Sequence, residues 1–434
     1  MASPKRIKPL GQATILGMRF QAPRGTEDVL PSDAPKWQRL EAVFADITRR
    51  HGYQELRTPI FEDTELFTRT SGETSDIVTK EMYSFLDKGD RSITLKPEGT
   101  APAMRAVIEH SLCPPGTVTR LRYTVPCFRY SRPQKGRLRE FHQLGMELIG
   151  SGSPAADAEI IEVTYRYFEE LGLSGMTVML NSIGREKCRQ DFRDAIMAHM
   201  GDYLSGQSEE VQAKAARNPL RLLDSKDSDV QAALVGLAPI TDFLEPECAE
   251  NYAQLQRHLT DAEIPFCLRP DIVRGLDYYT ETVFEILHDS MGGSSICGGG
   301  RYDRLVQELG GSPTPSVGVG IGMERVLLAL DADKVVIAAP AADAFIVQAS
   351  KEAYLPSLSL ARSLRADGFT VLTDIDGKSM KSQLRQADKS GARFALILGD
   401  DELAKETVQM KDLAAGTQSE CAWPQLAAAL RETP

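Results

Sequence analysis

Val125-Pro126-Cys127-Phe128-Arg129-Tyr130, Pro133-Gln134-Lys135-Gly136 and Phe141-His142-Gln143-Leu144-Gly145-Met146-Glu147-Leu148-Ile149 are three pieces of one stretch, Arg120 to Gly150. The outer pieces alternate as antiparallel strands do, and the middle piece carries the Pro and Gly of a turn. A long hairpin, and with it an antiparallel sheet, is expected. Its arginines are dense: Arg120, Arg122, Arg129, Arg132, Arg137 and Arg139, with Lys135 among them. A charge run is usually a solvated face. Here several of the arginines lie within the paired strands, where a cation without an anionic partner is costly, so a polyphosphate ligand is expected.

Two later stretches extend the sheet. Arg274-Gly275-Leu276-Asp277-Tyr278-Tyr279-Thr280 runs into a short alternating strand through Thr282, Val283, Phe284 and Glu285 to Ile286. An arginine and two tyrosines at a strand edge can hold an anion and a polar planar group together. Ser295-Ile296-Cys297-Gly298-Gly299-Gly300-Arg301-Tyr302-Asp303 suggests a strand, a loop and close approach of a ligand to glycine backbone. Gly318-Val319-Gly320-Ile321-Gly322-Met323-Glu324-Arg325 reads as a strand turning into a helix. Its G-x-G-x-G spacing without a preceding βαβ unit is no dinucleotide fingerprint, but bare backbone there would admit a flat ligand while Arg325 opens the helix.

Outward from these segments, Trp37, Leu40, Val43, Phe44 and Ile47 recur at helical spacing, with Arg49, Arg50 and Gly52 marking the end. Tyr53 to Phe61 reads as a strand interrupted by Pro59, Met82 to Asp87 and Ser92 to Leu95 as short strands, and Lys96 to Thr100 as the lead into a helix. Residues 154–171 are expected to be helical and Val178 to Leu180 a strand. From Gly184 to about Ala262 the pattern is helical and irregular, an insertion splitting a β-rich domain. Beyond an Ala/Pro stretch near Ala338 to Ala342, the strand runs Phe345 to Val347, Phe369 to Leu372 and Phe394 to Leu398 alternate with helices, as in a small α/β sheet. There Lys378, Lys381, Arg385, Lys389 and Arg393 form a basic stripe, either a solvated helix face or a contact with RNA backbone. Residues 1–18 carry Lys5, Arg6 and Lys8 without apolar periodicity, which fits a dispensable tail or an RNA-touching arm.

The chain of 434 residues has room for two or three domains, and its net charge of −11 argues against indiscriminate nucleic-acid coating while leaving room for a local basic groove. No apolar run has membrane-span length and no secretory signal is visible, so a cytoplasmic protein with no membrane association is expected. Cys113, Cys127, Cys188, Cys248, Cys267, Cys297 and Cys421 are scattered, with no Cys-x-x-Cys pair, and read as reduced, mostly core thiols; no metal ligands are expected among the site residues. No Ser/His/Asp order, H-E-x-x-H or Walker lysine loop is present. Arginines cradling a triphosphate would stabilise charge at phosphorus without a covalent enzyme intermediate.

Over nearly the whole chain from Arg19 the sequence resembles the histidyl-tRNA synthetases, class II enzymes of bacterial type. Arg274 to Tyr279 and Ser295 to Asp303 resemble the two segments peculiar to that family. The Phe128-Arg129 to Glu147 hairpin resembles motif 2, Gly318 to Arg325 motif 3, and the segment ending near Pro59 motif 1. The resemblance implies an α+β catalytic domain over 19–335, with an antiparallel sheet and a helical insertion at about 185–262, then an α/β anticodon-binding domain over 340–434. It further implies a homodimer that uses ATP, with Mg2+, to activate L-histidine as histidyl-adenylate and passes it to histidine tRNA. Arg274 and Arg129 would then be catalytic, beside the α-phosphate. Glu98, Thr100 and Gln143 would hold the α-amino group, and Glu147 with Tyr279 would address the imidazole nitrogens. Tyr278 and Tyr302 would line the pocket, with Arg129 and Arg274 also touching the histidine. Phe141 and Arg325 would sandwich the adenine, with Arg129 and Arg137 also on ATP, while Arg132, Gln134, Lys378, Lys381 and Arg385 would meet tRNA. Ser131 stands where the family commonly has an acidic residue, though a hydroxyl can still accept from the adenine amino group.

Overall fold

A computed structural model describes residues 20–71, 77–223, 225, 227–270, 272, 278–337, 339 and 341–432. The expected tail over 1–18 and Arg274 lie outside these. The chain divides into two compact units, Met1–Ile337 and Ala338–Pro434.

In the first unit the expected hairpin forms. β5 (Thr119–Phe128) and β6 (Glu140–Ile149) pair antiparallel from Thr119 opposite Ile149 to Phe128 opposite Glu140. The two-residue period puts Leu121, Tyr123, Val125 and Cys127 on the same face as Phe141, Gln143, Gly145 and Glu147, and turns Leu144, Met146 and Leu148 the other way. The hairpin sits within an eight-stranded sheet of order β1-β5-β6-β11-β10-β9-β7-β8. Its other strands are β1 (Gln54–Glu55), β7 (Met176–Ser182), β8 (Phe266–Leu268), β9 (Thr280–His288), β10 (Ser295–Arg301) and β11 (Ser316–Gly322). The inner joins are antiparallel, but β1 lies parallel to β5 and β8 parallel to β7, so the sheet is mixed at its two rims. Parallel neighbours need a crossover. The helical insertion, from Glu186–His199 to Pro246–Asp261, is the one joining β7 to β8.

Tyr53 to Phe61 is not one interrupted strand. It supplies β1 to the large sheet and then β2 (Phe61–Asp63) to a separate sheet of order β2-β4-β3, with β3 (Tyr83–Leu86) and β4 (Ser92–Leu95). Pro59 has no N–H for a ladder, and the chain changes sheets beside it.

Apolar clusters cover both faces of the large sheet. On one, the helices Ala34–Arg50, Pro154–Glu170, Pro246–Asp261 and Met323–Ala332 pack on Leu144, Met146 and Leu148. On the other, Phe192, Ile196 and Met200 of the insertion join Tyr123, Val125, Tyr278, Tyr279 and Tyr302. Burial of this size is the main stabilising term in such a domain.

The second unit has a five-stranded sheet of order β13-β12-β14-β15-β16. β12 (Ala344–Gln348), β13 (Val371–Thr373) and β14 (Phe394–Leu398) are parallel, and β15 (Thr407–Asp412) and β16 (Gln418–Ala422) extend the sheet antiparallel. The basic stripe is shorter than its spacing suggests. The helix runs Met380–Lys389, so Lys378 precedes it, paired with Asp376 at 2.8 Å, and Arg393 follows it. All seven cysteines are free, with Cys127, Cys188, Cys248 and Cys297 buried. Among the described residues no helix is long and apolar enough to cross a membrane.

Candidate active site

The site lies on the face of the sheet that the first helix of the insertion, Glu186–His199, covers. β6, β11 and β10 run side by side with Glu147 opposite Gly318, Gly145 opposite Gly320, Gln143 opposite Gly322, and Gly300 opposite Gly318. A Cβ on Gly318 would fall 1.7 Å from Glu147 Oε2, and one on Gly320 2.1 Å from Gln143 Nε2. The glycines of β11 therefore first make room for the protein's own carboxyl and carboxamide groups. This corrects the reading in which they merely expose backbone to a flat ligand.

Glu147 is completely buried. Its Oε1 accepts from the Tyr123 hydroxyl at 2.7 Å and its Oε2 from the Tyr302 hydroxyl. Removal from water pushes its pKa up to about 8, against the opposing pull of the hydroxyl hydrogen bonds; nearby Glu98 adds to the rise. Tyr123 also stands 3.4 Å from Thr100 Oγ1. Tyr278 packs against Tyr279 and Tyr302, with ring centroids 4.8 and 5.6 Å away.

Glu98 accepts from the Thr100 and Ala101 amides at 2.6 and 2.8 Å, so it fastens the start of the helix Thr100–Glu109. Burial raises its pKa while those amides oppose the rise. Gln143 Oε1 accepts from the Gly99 amide at 2.9 Å, which leaves its amide nitrogen to donate elsewhere. Arg129 Nε donates to the Pro97 carbonyl at 2.8 Å, and its guanidinium lies 5.3 Å from the centre of the Phe141 ring. Arg325 donates to the Ser295 carbonyl at 2.6 Å and reaches Gly136 O at 3.5 Å, joining the hairpin turn to β10.

The fold thus gathers Thr100, Glu147, Tyr278, Tyr279 and Tyr302 around Tyr123, with Glu98 and Gln143 bonded to the adjoining start of the helix Thr100–Glu109 and Arg129, Phe141 and Arg325 grouped around the base of the hairpin loop. Arg132, Gln134 and Arg137 are exposed on that loop, where Gln134 and Arg137 pair across the turn. Two hairpin arginines leave the list of anion ligands. Arg120 grips Glu159 at 2.7 and 2.8 Å, and Arg122 meets Glu55 at 3.0 Å, so the protein supplies their anionic partners. Arg301 is likewise structural: it binds Asp157, Asp303 and the carbonyls of Ser151 and Ser153.

Tyr123 is the site residue that sequence reasoning missed. The sequence signal was only its alternation with Leu121 and Val125; the structure sets it opposite Gly145, where a Cβ, like one on Gly99, would strike its ring. As to metals, the one described group with three donors is Cys188, Glu245 and Cys248, at the base of the insertion. Burial pushes the Cys248 thiol up to about 12 and Lys187 stands 3.8 Å from Glu245, which both weigh against a resident cation.

The family profile described as histidyl-tRNA synthetase matches residues 25–326, and that of an anticodon binding domain residues 335–433. A histidine--tRNA ligase of Cyanothece sp. is 48% identical over 92% of this chain and 93% of its own, and that of Geobacillus thermodenitrificans 43% identical over 96% and 99%. The crystal structure of apo Staphylococcus aureus histidyl-tRNA synthetase matches with a TM-score of 0.82 at 34% identity, covering 95% of this chain and 100% of that one.

Proposed function

The chain belongs to the histidyl-tRNA synthetase family, and from that premise we propose that it ligates L-histidine to histidine tRNA. The histidine carboxylate attacks the α-phosphate of ATP, releasing pyrophosphate and leaving histidyl-adenylate. A hydroxyl of the terminal tRNA ribose then takes the acyl group and AMP departs. Mg2+ enters with the ATP phosphates as part of the substrate.

The observation that carries this reading is the Glu147 carboxyl, fully buried between two tyrosine hydroxyls. Imidazole is small and planar, with one N–H donor and one acceptor nitrogen. Glu147 meets one nitrogen and Tyr279 the other, Tyr278 and Tyr302 wall the pocket, and Tyr123 holds Glu147 in place. A side chain that left this buried carboxyl unpaired would be rejected far more strongly than a misfit in an apolar pocket. Glu98, Thr100 and Gln143 receive the α-amino group. Arg129 and Arg274 flank the α-phosphate as cations fixed before charge develops there, so no reorganisation is needed in the transition state. Phe141 and Arg325 sandwich the adenine, Arg137 assists at ATP, and Ser131 offers its hydroxyl to the adenine amino group.

Arg132 and Gln134 face the acceptor end of the tRNA, while Lys378, Lys381 and Arg385 serve the anticodon-binding domain, where single-stranded bases are read. The enzyme acts as a cytoplasmic homodimer. A regulatory paralogue that only binds histidine would need the recess but not Arg129, Phe141 and Arg325 around an adenylate. Histidine-dependent exchange of pyrophosphate into ATP by the pure protein decides between them: exchange is expected, and its absence would leave the regulatory reading.

A further inference from the structure

The first helix of the insertion, Glu186–His199, bonds to the chain just before β9. Arg189, only 8% exposed, donates through Nη1 to the carbonyl oxygen of Tyr279 at 2.8 Å and through Nη2 to Glu186 at 2.7 Å. Its Nε is buried with no partner. Burying a guanidinium with one N–H unmet is unfavourable, and an apolar side chain would fill the same space without that cost.

A second set of bonds grips the chain two residues further on. Glu281 is 5% exposed and holds φ +45°, a left-handed conformation that a side chain bearing a Cβ adopts at a cost. Its amide donates to Gly184 O at 2.9 Å, and its carbonyl accepts from Ile183 N at 2.8 Å. Arg185 Nε and Asn251 Nδ2 hold its two carboxylate oxygens at 2.8 and 3.1 Å, while the far side of Arg185 is clasped by Glu247 at 2.7 and 2.9 Å. Both ends of the insertion, through Arg185 and Asn251, thus close on one residue. Tyr279 thus takes the Arg189 bond on its own carbonyl, two residues before this clamp, and its ring lies against Gly300.

We infer that Arg189 is a positioning residue for histidine recognition, through which the insertion sets the backbone of Tyr279 and so the place of its hydroxyl. The inference rests on the reading of Tyr279 as an imidazole contact. A charge-assisted hydrogen bond to a carbonyl, once lost, corresponds to roughly tenfold or more in binding. Arg189→Gln should therefore raise the KM for histidine in pyrophosphate exchange by about that factor, with the KM for ATP and kcat nearly unchanged.

Arg189→Lys, which keeps a cationic donor, should recover part of the loss. Arg193→Gln, on the same helix and the same Glu186 partner at 3.1 Å, should leave the histidine KM alone. Tyr279→Phe separates the two layers of argument. If it leaves the histidine KM unchanged, the imidazole reading falls; if it raises the KM while Arg189→Gln does not, the positioning role falls and the reading stands. A melting temperature lowered by Arg189→Gln with an unchanged KM, or equal losses in kcat and in both KM values, would also overturn it. Should Arg189→Gln not fold, Asn251→Ala, which loosens the same clamp from the other end of the insertion, is expected to raise the histidine KM selectively, and no change would count against the proposal.

Discussion

Replacing Glu147 with glutamine should make the protein more stable at alkaline pH while weakening its hold on histidine. In the folded chain this carboxyl titrates at about 8, against an ordinary value of 4.5, because it is removed from water. Between those limits the unfolded chain has released the proton and the folded chain keeps it. Rising pH therefore favours unfolding across that window, and the loss is complete above it. At 1.36 kcal/mol per pKa unit the full loss is at most roughly 5 kcal/mol, and between pH values of about 5.5 and about 8.5 it amounts to about 3 kcal/mol. An amide carries no charge to bury, and its oxygen and nitrogen can still pair with the Tyr123 and Tyr302 hydroxyls. Urea denaturation of the natural protein and Glu147→Gln at both pH values gives a double difference from which the second unit cancels. The variant should gain on the natural protein by a few kcal/mol at the higher pH. A gap that is the same at both pH values would show that the carboxyl is not held protonated by burial.

Three further outcomes follow from the same geometry. Gly318→Ala sets a Cβ 1.7 Å from Glu147 Oε2 and should raise the histidine KM at least about tenfold through the displaced hydrogen bonds, whereas Gly322→Ala, whose Cβ meets only the Arg325 side chain at 3.8 Å, should be tolerated. The Ser131 hydroxyl is buried without a partner, so Ser131→Ala should raise the KM for ATP by about fivefold if the adenine amino group meets it and leave the histidine KM alone; an unchanged KM for ATP would remove Ser131 from the site. Reversing charge at Lys381 and Arg385 together should weaken tRNA charging and flatten its salt dependence while pyrophosphate exchange is untouched, and a matching loss in exchange would mean that the substitutions damage the protein at large.

What the sequence disclosed was whatever local pattern can carry. The hairpin and the strand-to-helix turn before Arg325 appear as expected, because alternation and turn residues lie within a few residues of each other. Most of the recess was legible too, on the strength of family resemblance. The rest depends on register between distant strands. That Gly318 is bare because Glu147 lies across it, or that Tyr123 completes the carboxyl's pair of hydroxyls, follows only once β5, β6 and β11 are side by side. Arg120 and Arg122 show the opposite failure, since a basic run cannot reveal that Glu159 and Glu55 arrive to neutralise it.

Register also explains why the insertion belongs to the chemistry of the site. β7 and β8 are parallel neighbours, so the chain between them must cross over the sheet; its last helix, Pro246–Asp261, packs on the face of Leu144, while its first, Glu186–His199, covers the face bearing Glu147 and the tyrosines. The first helix of the insertion, placed there, excludes water from a buried carboxyl whose raised pKa needs that exclusion. It also puts the Arg189 guanidinium within reach of Tyr279. A rim connection required by topology therefore serves both the polarity of the pocket and the position of its edge, and shortening the insertion should lower the pKa of Glu147 as well as loosen the tyrosine.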